Sequence, residues 1–129
     1  MDRKIHCTYT KDTQVTITAE GISDTLHTLH DKSNRCFTPG DMLAGALGAC
    51  TLTMMGYIAA RSNYPLDDVK VEVLPSFAPD GSGLKSVQMH ITFPKDTPED
   101  IRRRCLAAAE RCPVKNSLSA DIKITLLAD

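Results

Sequence analysis

Residues 38 to 61 read TPGDMLAGALGACTLTMMGYIAAR, and from Met42 to Ala60 the stretch carries no charge. It opens with helix-start chemistry. Thr38 suits the N-cap, Pro39 suits the first helical position, and Asp41 at the third can answer the cap. A helix over this span runs about 35 Å at roughly 1.5 Å per residue. Being apolar on every side, it is expected to be buried on every side. The rest of the chain has to supply that cover, and Cys50 stands near the middle of the helix.

The run is long enough to raise the question of a membrane span. Three glycines (Gly45, Gly48, Gly56) and two threonines (Thr51, Thr53) dilute it. The flanking segments are amphipathic and need an apolar partner, so a buried core helix fits better than a membrane helix. The opening MDRKIHCTYT has no apolar region of the signal-peptide kind, and the expected compartment is the cytoplasm. At 129 residues the chain is most simply one domain over residues 1–129. A net charge of -1 leaves no electrostatic footprint for nucleic acid. The basic run Arg102, Arg103, Arg104 has acids beside it and reads as a solvated helix face.

Before the helix, Ile5, Cys7 and Tyr9 alternate with Lys4, His6 and Thr8, the pattern of a half-buried strand with Cys7 in the core. Val15, Ile17 and Ala19 alternate in the same way and complete a hairpin. Thr25 to His30 suits a third strand, with His27 and His30 on opposite faces as surface residues. Asp31 to Phe37 is loop-like. After the helix, Val69, Val71 and Val73, and then Val87, Met89, Ile91 and Phe93, form a second hairpin around Pro79-Asp80-Gly81-Ser82-Gly83.

Thr97-Pro98-Glu99-Asp100 repeats the helix-start chemistry. The helix it opens is expected to run to about Cys112, with Ile101, Cys105, Ala108 and Cys112 on one inward stripe. Pro113 breaks the chain, a short turn of helix follows within Val114 to Ser119, and Ile122, Ile124 and Leu126 form a final strand. The fold class is therefore α+β, with mainly antiparallel sheets laid over the helices.

Five cysteines stand at 7, 36, 50, 105 and 112, an odd count that argues against a disulfide framework. No pair has CxxC spacing and the four histidines are scattered, so no metal or other bound cofactor is expected. Cys50 lies between Ala49 and Thr51, and Cys112 stands directly before a proline. On residue type alone, a buried free cysteine is most often inert packing.

The surroundings of these two cysteines change that balance. The run Pro39 to Cys50, PGDMLAGALGAC, resembles the signature of the OsmC family, in which a proline, an acid and a Leu/Ala/Gly run lead to a cysteine at this spacing. Ala109-Glu110-Arg111-Cys112-Pro113-Val114, followed by Ser117-Leu118, resembles the family's second signature. The order of elements agrees over nearly the whole chain. The resemblance implies an intertwined homodimer whose sheets wrap long central helices. It also implies a thiol-dependent peroxidase acting on organic hydroperoxides, with Cys50 peroxidatic and Cys112 resolving, restored by an external dithiol that is often lipoyl-linked.

The chain departs from the family pattern at Gly40, where the best-studied members carry a Glu whose partner is an N-terminal Arg at the reactive thiol. Here the acid is Asp41, and among Arg3, Lys11 and Arg35 the choice for the cation is Arg35. Asp41 and Cys50 are nine residues apart, which on a straight helix points them to opposite faces with roughly 13 Å of rise between them. The acid could then act only through a bridging cation or from a partner subunit. A second reading is a non-catalytic relative that binds a small apolar ligand or senses redox state. A third is a dimeric scaffold whose cysteines only pack. Cys36, in the loop, reads as a bystander, and Cys105 as core.

Overall fold

The computed structural model describes residues 2–30 and 36–129. The candidate cation Arg35 lies outside them. Two compact units divide the chain, Met1–Leu43 and Ala44–Asp129.

The first unit holds a three-stranded antiparallel sheet of β1 (Ile5–Lys11), β2 (Gln14–Ala19) and β3 (Leu26–Leu29), in that order. The first hairpin turns over Asp12 and Thr13, both at positive φ, as a two-residue connection requires. Ile5 pairs with Ala19, Cys7 with Ile17, and Tyr9 with Val15, while Leu26 continues the row beside Ile17. Directly paired residues share a face, so the alternation read from the sequence does make one apolar face. That face is open, however. Every residue of β1 is exposed, Tyr9 by 65% and Ile5 by 57%, and Cys7 is a surface thiol rather than a core residue. Alternation identifies which face is apolar, and one chain of this length leaves that face uncovered.

α1 (Pro39–Arg61) starts as its sequence requires. Thr38 Oγ1 accepts from the Asp41 N–H at 3.1 Å, and Asp41 Oδ2 accepts from the Thr38 N–H at 3.0 Å, a reciprocal capping box. The helix does not bury all of its circumference within one chain. Leu47, Gly48, Thr51, Met55 and Ala59 are buried, a single stripe at helical spacing. The opposite side, with Gly45, Ala49 and Thr53, faces outward. By length and composition α1 could also cross a membrane, yet its buried stripe is packed into the core of the second unit.

The second unit holds β4 (Lys70–Phe77), β5 (Leu84–Thr92) and β6 (Lys123–Ala128), with β5 in the centre. β4 pairs with β5 antiparallel, from Lys70 opposite Thr92 to Phe77 opposite Leu84. β6 pairs with β5 in parallel, Val87 beside Ile124 and Met89 beside Leu126. A parallel neighbour needs a crossover, and α2 (Glu99–Ala109) and α3 (Pro113–Asn116) provide it. α2 ends three residues earlier than its apolar stripe suggests, because Glu110 and Arg111 turn away and Cys112 becomes the N-cap of α3. Ile101, Cys105, Ala108 and Cys112 are all buried nonetheless. Thr97 makes no cap. The N-cap of α2 is Pro98, without a side-chain hydrogen bond.

Two hydrophobic clusters fill this unit. One joins Met55 and Ala59 of α1 with Ile91, Phe93, Ile101, Cys105 and Ala109. The other joins Leu47, Val87, Met89 and Cys112, with Cys50, Val114, Ile122 and Ile124 packed against it. Each fully buried Leu or Met in them contributes about 1.5–3 kcal/mol relative to exposure.

Candidate functional site: a pair of thiols

Cys50 projects from the middle of α1 beside the second cluster. Cys112 reaches the same cluster from the junction of α2 and α3, with no exposed surface. The two thiols, 62 residues apart in sequence, are neighbours in this cluster, close enough for Cys112 to perturb the Cys50 thiol. They remain free cysteines in this structure, Cys112 buried and Cys50 half-buried.

The first turn of α3 serves both sulfurs. The Lys115 N–H donates to Cys112 Sγ at 3.4 Å. The Val114 N–H lies near the Cys50 sulfur and favours its ionised form. Pro113 starts this turn with a fixed φ and no N–H of its own, which leaves the next two N–H groups to face the sulfurs. The Lys115 ammonium is held by Glu110. These backbone donors carry no side-chain signature. The only trace of them in the sequence is the Cys-Pro step.

Electrostatics at Cys50 run against ionisation. Burial pushes its thiol up most, and the neighbouring Cys112 thiol adds to this; the Val114 N–H works the other way. Burial also raises Cys105, whose thiol points at the Met55 carbonyl 3.7 Å away. Both are acids with folded pKa values above their unfolded ones. The stability gained by keeping them protonated is full below about pH 8.5 and is lost as pH rises through the folded values. Alkylation of Cys50 in the reduced protein is therefore expected to keep accelerating above pH 8.5, roughly tenfold per unit below its pKa. The urea midpoint is expected to fall over the same range. A Cys50 alkylation rate that levels off near pH 7 contradicts the raised thiol.

Among the four candidate site residues, the structure brings Cys50 and Cys112 together. Asp41 is engaged with Thr38 in the first turn of α1. Cys36 is exposed, as expected of a loop thiol. Among the described residues, no group of three or more His, Cys, Asp or Glu could hold a metal ion.

A helix carrying one thiol, and a crossover that delivers a second to it through an α+β sheet, define a thiol-pair protein. The family of OsmC-like proteins matches residues 30–127, and the chain belongs to that family. No curated protein matches the sequence. Among solved structures, an osmotic stress induced and detoxification response protein from Psychrobacter arcticus 273-4 is similar with a TM-score of 0.88 and 24% identity, covering 97% of this chain and 94% of that one. The OsmC-like protein from Mycoplasma pneumoniae follows at 0.83 and 20% identity, covering 100% and 96%. The organic hydroperoxide resistance protein OhrB of Bacillus subtilis has a TM-score of 0.69 and 16% identity, covering 100% and 98%. At these identities the likeness speaks for the fold.

Proposed function

We propose that the chain is a thiol-dependent peroxidase that reduces organic hydroperoxides to alcohols through Cys50 and Cys112. The observation that carries this reading is the pair of neighbouring thiols, one half-buried and one buried, backed by apolar side chains. The Cys50 thiolate attacks the outer oxygen of R–O–OH, the O–O bond breaks, and R–O⁻ leaves to be protonated as the alcohol. Cys50 becomes a sulfenic acid. The Cys112 sulfur displaces its hydroxyl as water, and the disulfide that forms is reduced by exchange with an external dithiol, such as a lipoyl group. Organic hydroperoxides are favoured over hydrogen peroxide because the surround is apolar. The resemblance to the hydroperoxide resistance proteins supports the same chemistry. In this reading Arg35 supplies the activating cation and Asp41 the acid, and the protein works in the cytoplasm.

The test is peroxide-driven disulfide formation. Reduced protein given one equivalent of an organic hydroperoxide, then alkylated and digested, is expected to yield a Cys50–Cys112 peptide by mass spectrometry. Two thiols that remain alkylatable overturn the reading. The raised Cys50 thiol favours a second reading, in which the protein binds a small apolar ligand or senses redox state without turnover.

The working unit in this proposal is a homodimer. One chain leaves open the Ile5, Tyr9 and Leu26 face of its first sheet and the Gly45, Ala49 and Thr53 side of α1. Exposed apolar surface on this scale marks an interaction site. Light scattering at micromolar concentration is expected to give twice the 14.1 kDa chain mass, and a stable folded monomer contradicts it.

A further inference from the structure

Glu110 stands where an acid is out of place. It is the C-cap of α2, at the negative end of the helix dipole, where a carboxylate is disfavoured. The carboxylate reaches forward to the Lys115 ammonium, five residues on in the next helix. That ion pair spans the break between α2 and α3, and Cys112 lies inside the segment it closes. The same Lys115 gives its N–H to Cys112 Sγ at 3.4 Å, so the sulfur is the N-cap acceptor of α3. The Asn116 N–H donates to the Cys112 carbonyl at 3.0 Å. Lys115 therefore meets the segment twice: its ammonium holds the end of α2, and its amide holds the sulfur. The Lys115 side chain is 23% exposed and that of Glu110 57%. An ion pair this open adds little to global stability. What it governs is local, the time the Cys112 turn spends closed.

We propose that the Glu110–Lys115 ion pair is a clasp that positions Cys112, holding its sulfur inward so that it meets the Cys50 sulfenic acid before a second peroxide does. The role in the cycle rests on the peroxidase reading. The clasp itself does not. In the step concerned, the Cys112 sulfur attacks the Cys50 sulfenic sulfur, the S–S bond forms as the S–O bond breaks, and the hydroxyl leaves as water with the proton that Cys112 gives up. A disulfide needs its two Cα atoms within about 7 Å and its Cβ atoms turned toward each other. A turn that swings open therefore stops this step without touching Cys50. Glu110 and Lys115 are positioning residues, since neither side chain is placed at the reacting atoms.

Two measurements on the full chain separate these parts. The first is timed labelling of the reduced protein with iodoacetamide, followed peptide by peptide by mass spectrometry. Cys112 in Glu110→Gln is expected to label about fivefold faster than in wild type, as much as an ion pair of this exposure supports. High salt should move the wild type toward the variant. Glu110→Lys/Lys115→Glu, which reverses the two charges, should restore the slow rate. Cys105 is as fully buried and lies in α2, so it reports opening of the whole unit and should label alike in all of them. The second measurement adds excess organic hydroperoxide. The ratio of Cys50 sulfinic acid to Cys50–Cys112 disulfide should rise about fivefold in Glu110→Gln while the alcohol is released at an unchanged rate. Equal Cys112 labelling in wild type and Glu110→Gln overturns the inference. So does faster labelling that the reversed pair fails to restore. An unchanged ratio in a protein that does release alcohol removes the positioning role. Faster labelling that the reversed pair restores, with no alcohol from any hydroperoxide, keeps the clasp and removes the peroxidase.

Discussion

Replacing Cys50 by Ser is expected to lower hydroperoxide consumption by at least about a thousandfold, since the hydroxyl that remains is a far weaker nucleophile at neutral pH. The companion change separates the two sulfurs. Cys112→Ser keeps the attacking thiol, so one equivalent of alcohol should still form. The sulfenic acid then has no resolving partner, and further peroxide carries it to the sulfinic form. Steady turnover with a dithiol should therefore collapse in both variants, while a single-turnover burst survives only in Cys112→Ser. The burst is the informative readout, because a merely structural loss would remove it as well. Equal burst amplitudes in wild type and Cys50→Ser would sink the assignment of Cys50. In the wild type the burst rate should climb with pH, following the thiolate that burial and Cys112 suppress.

The second large effect concerns the scaffold. A Cβ placed on Gly48 would meet Val73 Cγ2 at 2.9 Å and Val71 Cγ1 at 3.4 Å. Valine is short and branched, so these methyls cannot swing away as the end of a long side chain could. The glycine lets α1 lie against β4, and Cys50 is fixed two residues further along the same helix. Gly48→Leu is expected to cost about 3 kcal/mol, even though leucine is the better helix former. Gly45 meets nothing within 4 Å in one chain, so a leucine there is expected to act through the proposed dimer contact and not through β4. Urea midpoints compare the two directly. A Gly48→Leu protein as stable as wild type would mean that α1 does not rest on β4 as described.

The legibility of this fold in its sequence was uneven, for physical reasons. Thr38 and Asp41 cap the helix through local hydrogen bonds, and local chemistry can be read from neighbouring residues. The alternation in β2 and β5 did specify strands, and in β5 the inner face. Cover is a different matter. Ile5, Cys7 and Tyr9 mark an apolar face as clearly as Val87, Met89 and Ile91 do, yet only the second trio is buried in one chain. The end of α2 was hidden because Cys112 stays inward after the helix has stopped, which preserves the apolar period across the break. The parallel register of β6 depends on the crossover, and six alternating residues cannot encode it. As for the thiols, no spacing rule joins positions 50 and 112. Their partnership came from the two signatures, and the N–H groups of Val114 and Lys115 came only with coordinates.

The place of Cys112 in the β5–β6 crossover has a consequence for biosynthesis. A ribosome delivers Cys50 about sixty residues before Cys112, and Ile122, Ile124 and Leu126, which wall in the second thiol, emerge later still. Until β6 docks beside β5, the nascent chain carries Cys50 as a solitary thiol with no fixed companion. In the proposed cycle the resolving thiol is thus in place only after β6 has docked, and a chain stalled short of that step would be exposed to oxidation that it cannot reverse.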